Sequence, residues 1–116
     1  MSCMDVVTTE AFEEVEAEPG VFLAQLATGD EMSIQHLRMA PGAVIPEHSH
    51  HHEQVGFVYE GRQTFVLEGD ETVAVEPGES YHLKSHERHG AENRADIEMR
   101  AIDVFSPPRP NPDWLE

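Results

Sequence analysis

Four histidines and a glutamine lie within seven residues, between positions 48 and 54, in the middle of the chain. They are His48, His50, His51, His52 and Gln54. Imidazole is the most common metal ligand near neutral pH, and two histidines separated by one residue on an extended chain point to the same side of a sheet. The spacing of His48 and His50 therefore predicts a metal site built on a β-strand.

A second histidine-bearing segment follows at residues 78–93 and contains His89. Two short strand-and-turn units separate the two segments, so a small β-barrel would bring both around one mononuclear metal centre. Strand parity sets His51 apart from His48 and His50. Several of the eight histidines are therefore expected not to bind metal: His36, His51, His82 and His86.

The elements that must position these side chains are short strands. Residues 1–19 carry an acidic run and end at a Pro-Gly pair, so they are predicted to form an acidic N-terminal arm outside the core. From residue 20 to residue 116 the pattern indicates a single domain. Runs of β-branched and aromatic residues alternate with turn residues every 8 to 12 positions, which is typical of an all-β sandwich or barrel. The predicted strands are 21–27, 32–39, 55–59, 64–67, 72–75, 81–83 and 95–105.

One face of the last predicted strand combines apolar residues with one acidic residue. Ile97, Met99, Ala101, Asp103 and Phe105 share a parity, which places an aspartate beside apolar residues. The following segment, 106–112, contains prolines that exclude a helix interior or a central strand. The C-terminal tail is therefore predicted to be an extended, proline-rich segment over the barrel surface.

Charge and composition exclude several classes of function. The 116 residues carry 23 acidic and seven basic side chains, a formal net charge of −16, so binding to nucleic acid is disfavoured. Neither a signal-peptide pattern nor an apolar run of about 20 residues is present, which predicts a cytoplasmic chain with no membrane partner. The single cysteine, Cys3, leaves nitrogen and oxygen ligands for a metal. Such an acidic, lysine-poor composition favours a halophile-like, salt-adapted protein over an ordinary acidic one.

The spacing of the two histidine segments resembles that of the cupins, whose first motif runs G-x5-H-x-H-x3,4-E-x6-G. Gly42, His48, His50 and Gly61 occupy its fixed positions, with Gln54 in place of the glutamate. The second motif, G-x5-P-x-G-x2-H-x3-N, is matched at Gly78, His89 and Asn93. Lys84 and His86 replace its proline and glycine, which puts the conformation of that turn in doubt. The resemblance covers residues 20–108 and implies a cupin-type double-stranded β-helix, or jelly roll.

The resemblance implies one divalent metal ion held by His48, His50, Gln54 and His89. Ni, Mn, Fe, Zn and Co all remain open. Glu53 is a rival to Gln54 but has the opposite strand parity unless a bulge intervenes. A glutamine ligand removes one negative charge from the metal, which favours Lewis acidity over a high oxidation state. His52 is expected either beside the ligands as a hydrogen-bond donor or pocket wall, or at the rim.

A narrower resemblance joins the first motif to the segment Asp103–Arg109, whose letters are DVFSPPR. Together they look like the small cupins of pectin and alginate degradation, which linearise Δ4,5-unsaturated monouronates to 5-keto-4-deoxyuronate. That family implies that Asp103, Phe105 and Arg109 line the pocket near the metal. The alternatives are that Asp103 pairs with Arg100 or Arg62 at the barrel rim, and that Arg109 is a solvated tail residue.

The leading functional prediction is a metal-dependent, non-redox enzyme acting on a small sugar acid. Arg109 would hold the substrate carboxylate and Asp103 would move protons. Two other classes remain open, a quercetinase-type dioxygenase and a non-catalytic metal- or sugar-binding cupin. A homodimer is also expected, because the N-terminal arm could add a strand to a neighbour's sheet edge.

Overall fold

A computed structural model describes residues 4–9 and 14–109. Within these ranges the chain forms ten β-strands and one short 3₁₀ turn, Glu68–Asp70. The strands are β1 Val15–Glu18, β2 Val21–Thr28, β3 Ser33–Met39, β4 Val44–His48, β5 Glu53–Glu60, β6 Gln63–Leu67, β7 Thr72–Val75, β8 Ser80–Leu83, β9 His89–Glu92 and β10 Met99–Ser106.

The strands form two antiparallel sheets packed face to face as a jelly-roll barrel. The first has six strands in the order β1-β2-β3-β10-β5-β8, and the second has four in the order β4-β9-β6-β7. Both sheets contribute buried side chains to one apolar core, including Leu37, Val58, Ile45 and Phe65. The predicted all-β barrel is therefore confirmed. Within the described ranges, no helix is long and apolar enough to span a bilayer.

Strand β10 carries the predicted alternation into the barrel. Met99, Ala101, Asp103 and Phe105 are all buried, while the residues between them are half-buried. The prediction was wrong for Ile97, which is 55% exposed, because residues 95–97 bend and the strand begins only at Met99. The register places Asp103 between Gln35 of β3 and Gly56 of β5. Strand β10 thus brings its polar residue to the centre of the larger sheet.

The N-terminal segment is more ordered than the predicted arm. Residues Val15–Glu18 form β1 and pair with β2 at the edge of the larger sheet. The predicted turn at Pro19–Gly20 follows, with Gly20 at a φ of 77°. Sequence periodicity missed β1 because its four residues, VEAE, are half acidic and bury little surface. The predicted extended tail at residues 110–116 and Cys3 lie outside the described residues.

The turn before β9 keeps its shape despite the two departures from the motif. His86, at the position of the motif glycine, has a φ of 67°, which glycine adopts without steric cost. The peptide N–H of His86 donates to the carbonyl oxygen of His50 at 2.7 Å. The peptide N–H of Glu87 closes the turn by donating to the carbonyl oxygen of Lys84. This turn therefore fastens the second histidine segment to the first.

Candidate metal centre

Three imidazoles converge at one end of the barrel. His48 ends β4, His50 lies two residues beyond it, and His89 begins β9 and pairs in register with His48. One ring nitrogen from each lies within 4.8 Å of the other two. Antiparallel pairing of β4 with β9 thus brings together two residues that are 41 positions apart in sequence, and the loop after β4 adds the third.

Each of the three rings is held through its Nδ1 atom by a backbone carbonyl close in sequence. The Nδ1 atoms of His48, His50 and His89 lie 2.9, 3.0 and 2.9 Å from the carbonyl oxygens of Pro46, His52 and Glu87. A carbonyl can only accept, so Nδ1 carries the proton and the Nε2 lone pair remains for a ligand. The Nε2 atom of His50 is buried and has no hydrogen-bond partner in the described structure.

Gln54 presents an amide oxygen beside the imidazoles. Its Nε2 donates to Oδ1 of Asp103 at 2.9 Å, which orients the amide. Its Oε1 is buried and has no hydrogen-bond partner among the described residues. A buried polar atom without a partner is costly unless a ligand completes it. Three imidazole nitrogens and one amide oxygen therefore fit a divalent transition-metal ion.

The neighbouring candidates lie elsewhere. Glu53 is exposed on the outer face and its carboxylate contacts His82 at 2.7 Å, so no bulge turns it inward. His51 is exposed, but strand parity does not explain this, because strand β4 ends at His48 and residues 49–52 form no strand. His52 is buried, and its ring lies 5.4 Å from that of His50 and 6.2 Å from that of Phe105. His52 is thus buried next to a candidate ligand and does not lie at the exposed rim.

The remaining histidines are not among the three whose ring nitrogens converge. His36 is on the outer face of the larger sheet, where its Nε2 lies 2.5 Å from the hydroxyl of Tyr59. His82 and His86 are exposed. That these three histidines are not ligands stays a prediction.

Asp103 is buried inside the barrel and makes no rim ion pair. It is 3% exposed, and its Oδ1 accepts hydrogen bonds from Gln54 and from the Tyr81 hydroxyl at 2.5 Å. Arg100 instead pairs with glutamates, and Arg62 lies 4.0 Å from one. The alternative of a rim pair with either arginine is therefore wrong. Burial raises the pKa of Asp103, while its two hydrogen bonds and the charge of Arg109 oppose that rise.

Tyr81 is a site residue that sequence reasoning missed. It lies on β8 directly opposite Gly56 of β5. A Cβ atom at Gly56 would come within 2.3 Å of both the Tyr81 hydroxyl and Oδ1 of Asp103. The missing side chain at Gly56 therefore makes room for the contact between them. Burial and the adjacent Asp103 raise the pKa of Tyr81, so its hydroxyl stays protonated and donates.

Phe105 and Arg109 close the remaining side. Phe105 is 1% exposed, and its ring lies 5.8 Å from that of His50. Arg109 is 4% exposed, its peptide N–H donates to Oγ of Ser33 at 2.9 Å, and its guanidinium lies 5.1 Å above the Phe105 ring. Arg109 is therefore part of the buried site and not a solvated tail residue. Burial, with the charge of Arg109 second, lowers the pKa of His50 to about 3.

One cavity connects most of these groups. Three glutamines, Gln35, Gln54 and Gln63, line its wall. Gln35 and Gln63 were not predicted as site residues. No short-range pattern distinguishes these glutamines from exposed ones, because β3 and β6 become buried only through long-range pairing. The lining residues are Leu23, Gln35, Leu37, Ile45, His48, Gln54, Gln63, Phe65, His89, Gly90, Ala91, Asp103, Phe105 and Arg109.

Comparison with known proteins finds similarity across most of this barrel. A family model described as a cupin domain matches residues 35–105. The H2HPP isomerase of Bacillus subtilis is 34% identical over 70 residues, which are 60% of this chain. The matched part is 29% of that relative, so the chain spans less than a third of its length.

Solved structures match over nearly the whole chain. KdgF from Halomonas sp. is 28% identical, with a TM-score of 0.82, and the match covers 92% of this chain and 96% of that one. An RmlC-like cupin from Shewanella frigidimarina is 25% identical, with a TM-score of 0.80 over 92% and 94%. The polyketide cyclase RemF from Streptomyces resistomycificus is 23% identical, with a TM-score of 0.81 over 93% and 82%, and this likeness shows the fold alone.

Proposed function

The chain belongs to the cupin family, whose model covers residues 35–105, and on that premise we propose that it is a metal-dependent enzyme acting on a small sugar acid. The observation that carries the proposal is the cavity in which His48 and His89 meet Gln54, Asp103 and Arg109. Ligating nitrogens, a buried acid and a buried cation together suit non-redox chemistry on a carboxylate substrate.

The metal would be held by His48, His50 and His89 through Nε2 and by Gln54 through Oε1. A divalent ion bound there supplies a Lewis acid for substrate oxygens. Asp103 acts on this set as well, because its Oδ1 holds the Gln54 amide with the nitrogen facing away from the ligand position. Asp103 therefore helps to place a ligand in addition to any role with substrate.

Arg109 supplies the cation for the substrate carboxylate. The guanidinium is planar and forms paired hydrogen bonds with a carboxylate, which fixes both position and orientation. Its attachment to Ser33 through the peptide N–H anchors the residue beside Phe105. The apolar ring of Phe105 limits water around the guanidinium, and exclusion of water strengthens the ion pair with a substrate.

Asp103 supplies the group that moves a proton. Opening a Δ4,5-unsaturated uronate breaks the ring bond between the anomeric carbon and the ring oxygen. The anomeric hydroxyl then loses a proton and the ene carbon gains one, so the sum is an isomerisation without oxidant. Tyr81 and Gln54 both bond to Oδ1 of Asp103, which leaves Oδ2 for this transfer. Burial raises the pKa of Asp103, which favours its taking up a proton.

Similarity to other proteins also supports an isomerisation without net redox change. The first motif and the segment Asp103–Arg109 resemble the small cupins that linearise unsaturated monouronates, and KdgF from Halomonas sp. matches at 28% identity over nearly both whole chains. The H2HPP isomerase of Bacillus subtilis also matches, and isomerisation is likewise a reaction without net redox change. These similarities support linearisation of 4,5-unsaturated monouronates to 5-keto-4-deoxyuronate as the activity that we propose.

The decisive experiment is an absorbance assay with unsaturated galacturonate, in air and under anaerobic conditions. The near-ultraviolet absorbance of the ene should decay at the same rate in both, since no electron leaves the substrate. An enzyme of the quercetinase type would stop without dioxygen. Decay that needs dioxygen, or no decay with any unsaturated uronate by metal-loaded protein, would refute the assignment.

Asp103→Asn should reduce kcat roughly 10²- to 10⁴-fold, the usual effect of removing a general acid or base. An asparagine oxygen can still accept from Tyr81, so the fold should persist. Circular dichroism and metal analysis would verify this, and the exposed Asp96→Asn variant is the matched control. Unchanged turnover in Asp103→Asn would remove Asp103 from the mechanism.

A further inference from the structure

Gln63 is a buried amide whose bonding is incomplete. It lies at the start of β6, is 1% exposed and lines the same cavity as His48 and His89. Its Oε1 has no hydrogen-bond partner in the described part of the chain. Leaving such an atom unpaired costs the free energy of removing it from water. A leucine would fill a similar volume without this cost, so packing alone does not explain a glutamine at this position.

Gln35 supplies a second amide to the same cavity. It lies on β3, is 4% exposed, and is the register partner of Asp103 on β10. Besides the polar groups of the candidate site, hydrocarbon side chains line this cavity, namely Leu23, Leu37, Ile45 and Ala91. The two amides face the cavity from opposite sheets, because β3 belongs to the larger sheet and β6 to the smaller. They add two amide groups to the polar groups of the candidate site in this cavity.

We propose that Gln35 and Gln63 form a hydroxyl-binding subsite that selects polyhydroxylated carboxylates over carboxylates with a hydrocarbon ring. Each amide both donates and accepts, which matches a sugar hydroxyl that does the same. A hydrocarbon or aromatic ring in this position would leave both amides unpaired, and sites built to bond a hydroxyl discriminate strongly against analogues that lack it. The inference rests on the proposed function and adds two residues that would recognise the hydroxyl groups of its sugar-acid substrate.

The first test measures stability without ligand. Gln63→Leu should raise the melting temperature of the metal-loaded protein, because it removes an unpaired buried oxygen. The matched control is Gln25→Leu. Gln25 also has a partnerless Oε1, but its Nε2 donates to Oγ1 of Thr28 and it does not line the cavity. A lower melting temperature in Gln63→Leu and in the closer-shaped Gln63→Met would show a structural role and overturn the proposal.

The second test measures binding by calorimetry with two probes, D-glucuronate and cyclohexanecarboxylate. The wild type should bind glucuronate roughly ten- to a hundredfold more tightly, and Gln35→Leu and Gln63→Leu should each lose about tenfold of that preference. Gln25→Leu should keep it. An unchanged preference in both cavity variants would overturn the subsite. Neither probe carries an ene, so these results are independent of whether the protein linearises unsaturated uronates.

Discussion

At the scale of single residues, the candidate site divides into groups that spacing predicts and groups that it does not. The H-x-H pair, Gln54 and His89 follow from motif positions, and the fold brings the three imidazoles together. Tyr81 could not be predicted, because its role depends on lying opposite Gly56 in the register of β5 and β8. Gly56 reads in the sequence as one small residue in an apolar strand. The need for a glycine at position 56 becomes clear only from the contact between Asp103 and Tyr81.

His89→Ala should abolish stoichiometric metal binding, because it removes one of the three converging imidazoles. His48→Ala should do the same. His82→Ala is the matched control, since His82 is exposed, pairs with Glu53 and should leave metal content unchanged. Metal content per protomer, measured by mass spectrometry after dialysis, tests all three. Full occupancy in both His89→Ala and His48→Ala would mean that the ion binds elsewhere.

At the scale of elements, the strands were predicted where side-chain alternation was strong and missed where it was weak. Strands β2, β3 and β7 lie within one or two residues of their predicted ranges. Strands β1 and β9 were missed because VEAE and HGAE show little apolar alternation, and the start of β10 was placed four residues early because Ile97 continued the apolar parity. Parity records which residues could face inward, but pairing with β3 and β5 decides where the strand begins.

Gly56→Ala tests how closely β5, β8 and β10 fit together. The added methyl group would overlap with Asp103 and Tyr81, so we expect a loss of roughly 1–3 kcal/mol in the free energy of unfolding, together with reduced activity. Gly29→Ala is the control, because the nearest atom to its Cβ position is a carbonyl oxygen at 3.6 Å. Urea titration measures the free energy of unfolding of both variants. Equal stability of the two variants would show that the Asp103–Tyr81 contact adjusts without cost.

At the scale of the whole molecule, the dominant feature is the net charge of −16 on 116 residues. The described ion pairs are partly exposed, such as Arg38 with Glu14 and Glu98, and exposed pairs contribute little to stability. Seven basic residues cannot neutralise 23 acidic ones, so repulsion among unpaired carboxylates opposes the compact state. Composition predicted this property without any knowledge of the fold.

The melting temperature should therefore rise by several degrees between 0.05 M and 1 M KCl. The Debye length falls from roughly 14 Å to about 3 Å over that range, which screens the carboxylates from one another. Calorimetry at neutral pH with constant metal loading measures the shift. A constant melting temperature would mean that repulsion contributes little and that the salt-adaptation hypothesis is wrong.

We also predict a homodimer, now through the outer face of the larger sheet and not through the N-terminal arm, because β1 pairs with β2 of its own chain. Val55, Phe57 and Tyr59 project from β5 and are each more than 40% exposed. The nearby Arg100–Glu60 pair places both signs of charge beside them, so a two-fold mate would meet opposite charges. Light scattering should give twice the mass of one chain.

Phe57→Glu should convert that dimer to a monomer. Val73→Glu is the control, because Val73 is equally exposed but lies on the smaller sheet. A monomeric wild type would remove the prediction, and a dimer that survives Phe57→Glu would place the interface elsewhere.

The carbonyl contacts of the three imidazoles also bear on the entropy of metal capture. His48, His50 and His89 are each held at Nδ1 by a carbonyl two residues away, so their rings are oriented by local backbone before any ion arrives. Little conformational freedom then remains to be lost on ligation, and more of the bond energy is expressed as affinity. The metal-free protein should accordingly load quickly and without rearrangement, as a rigid chelator does.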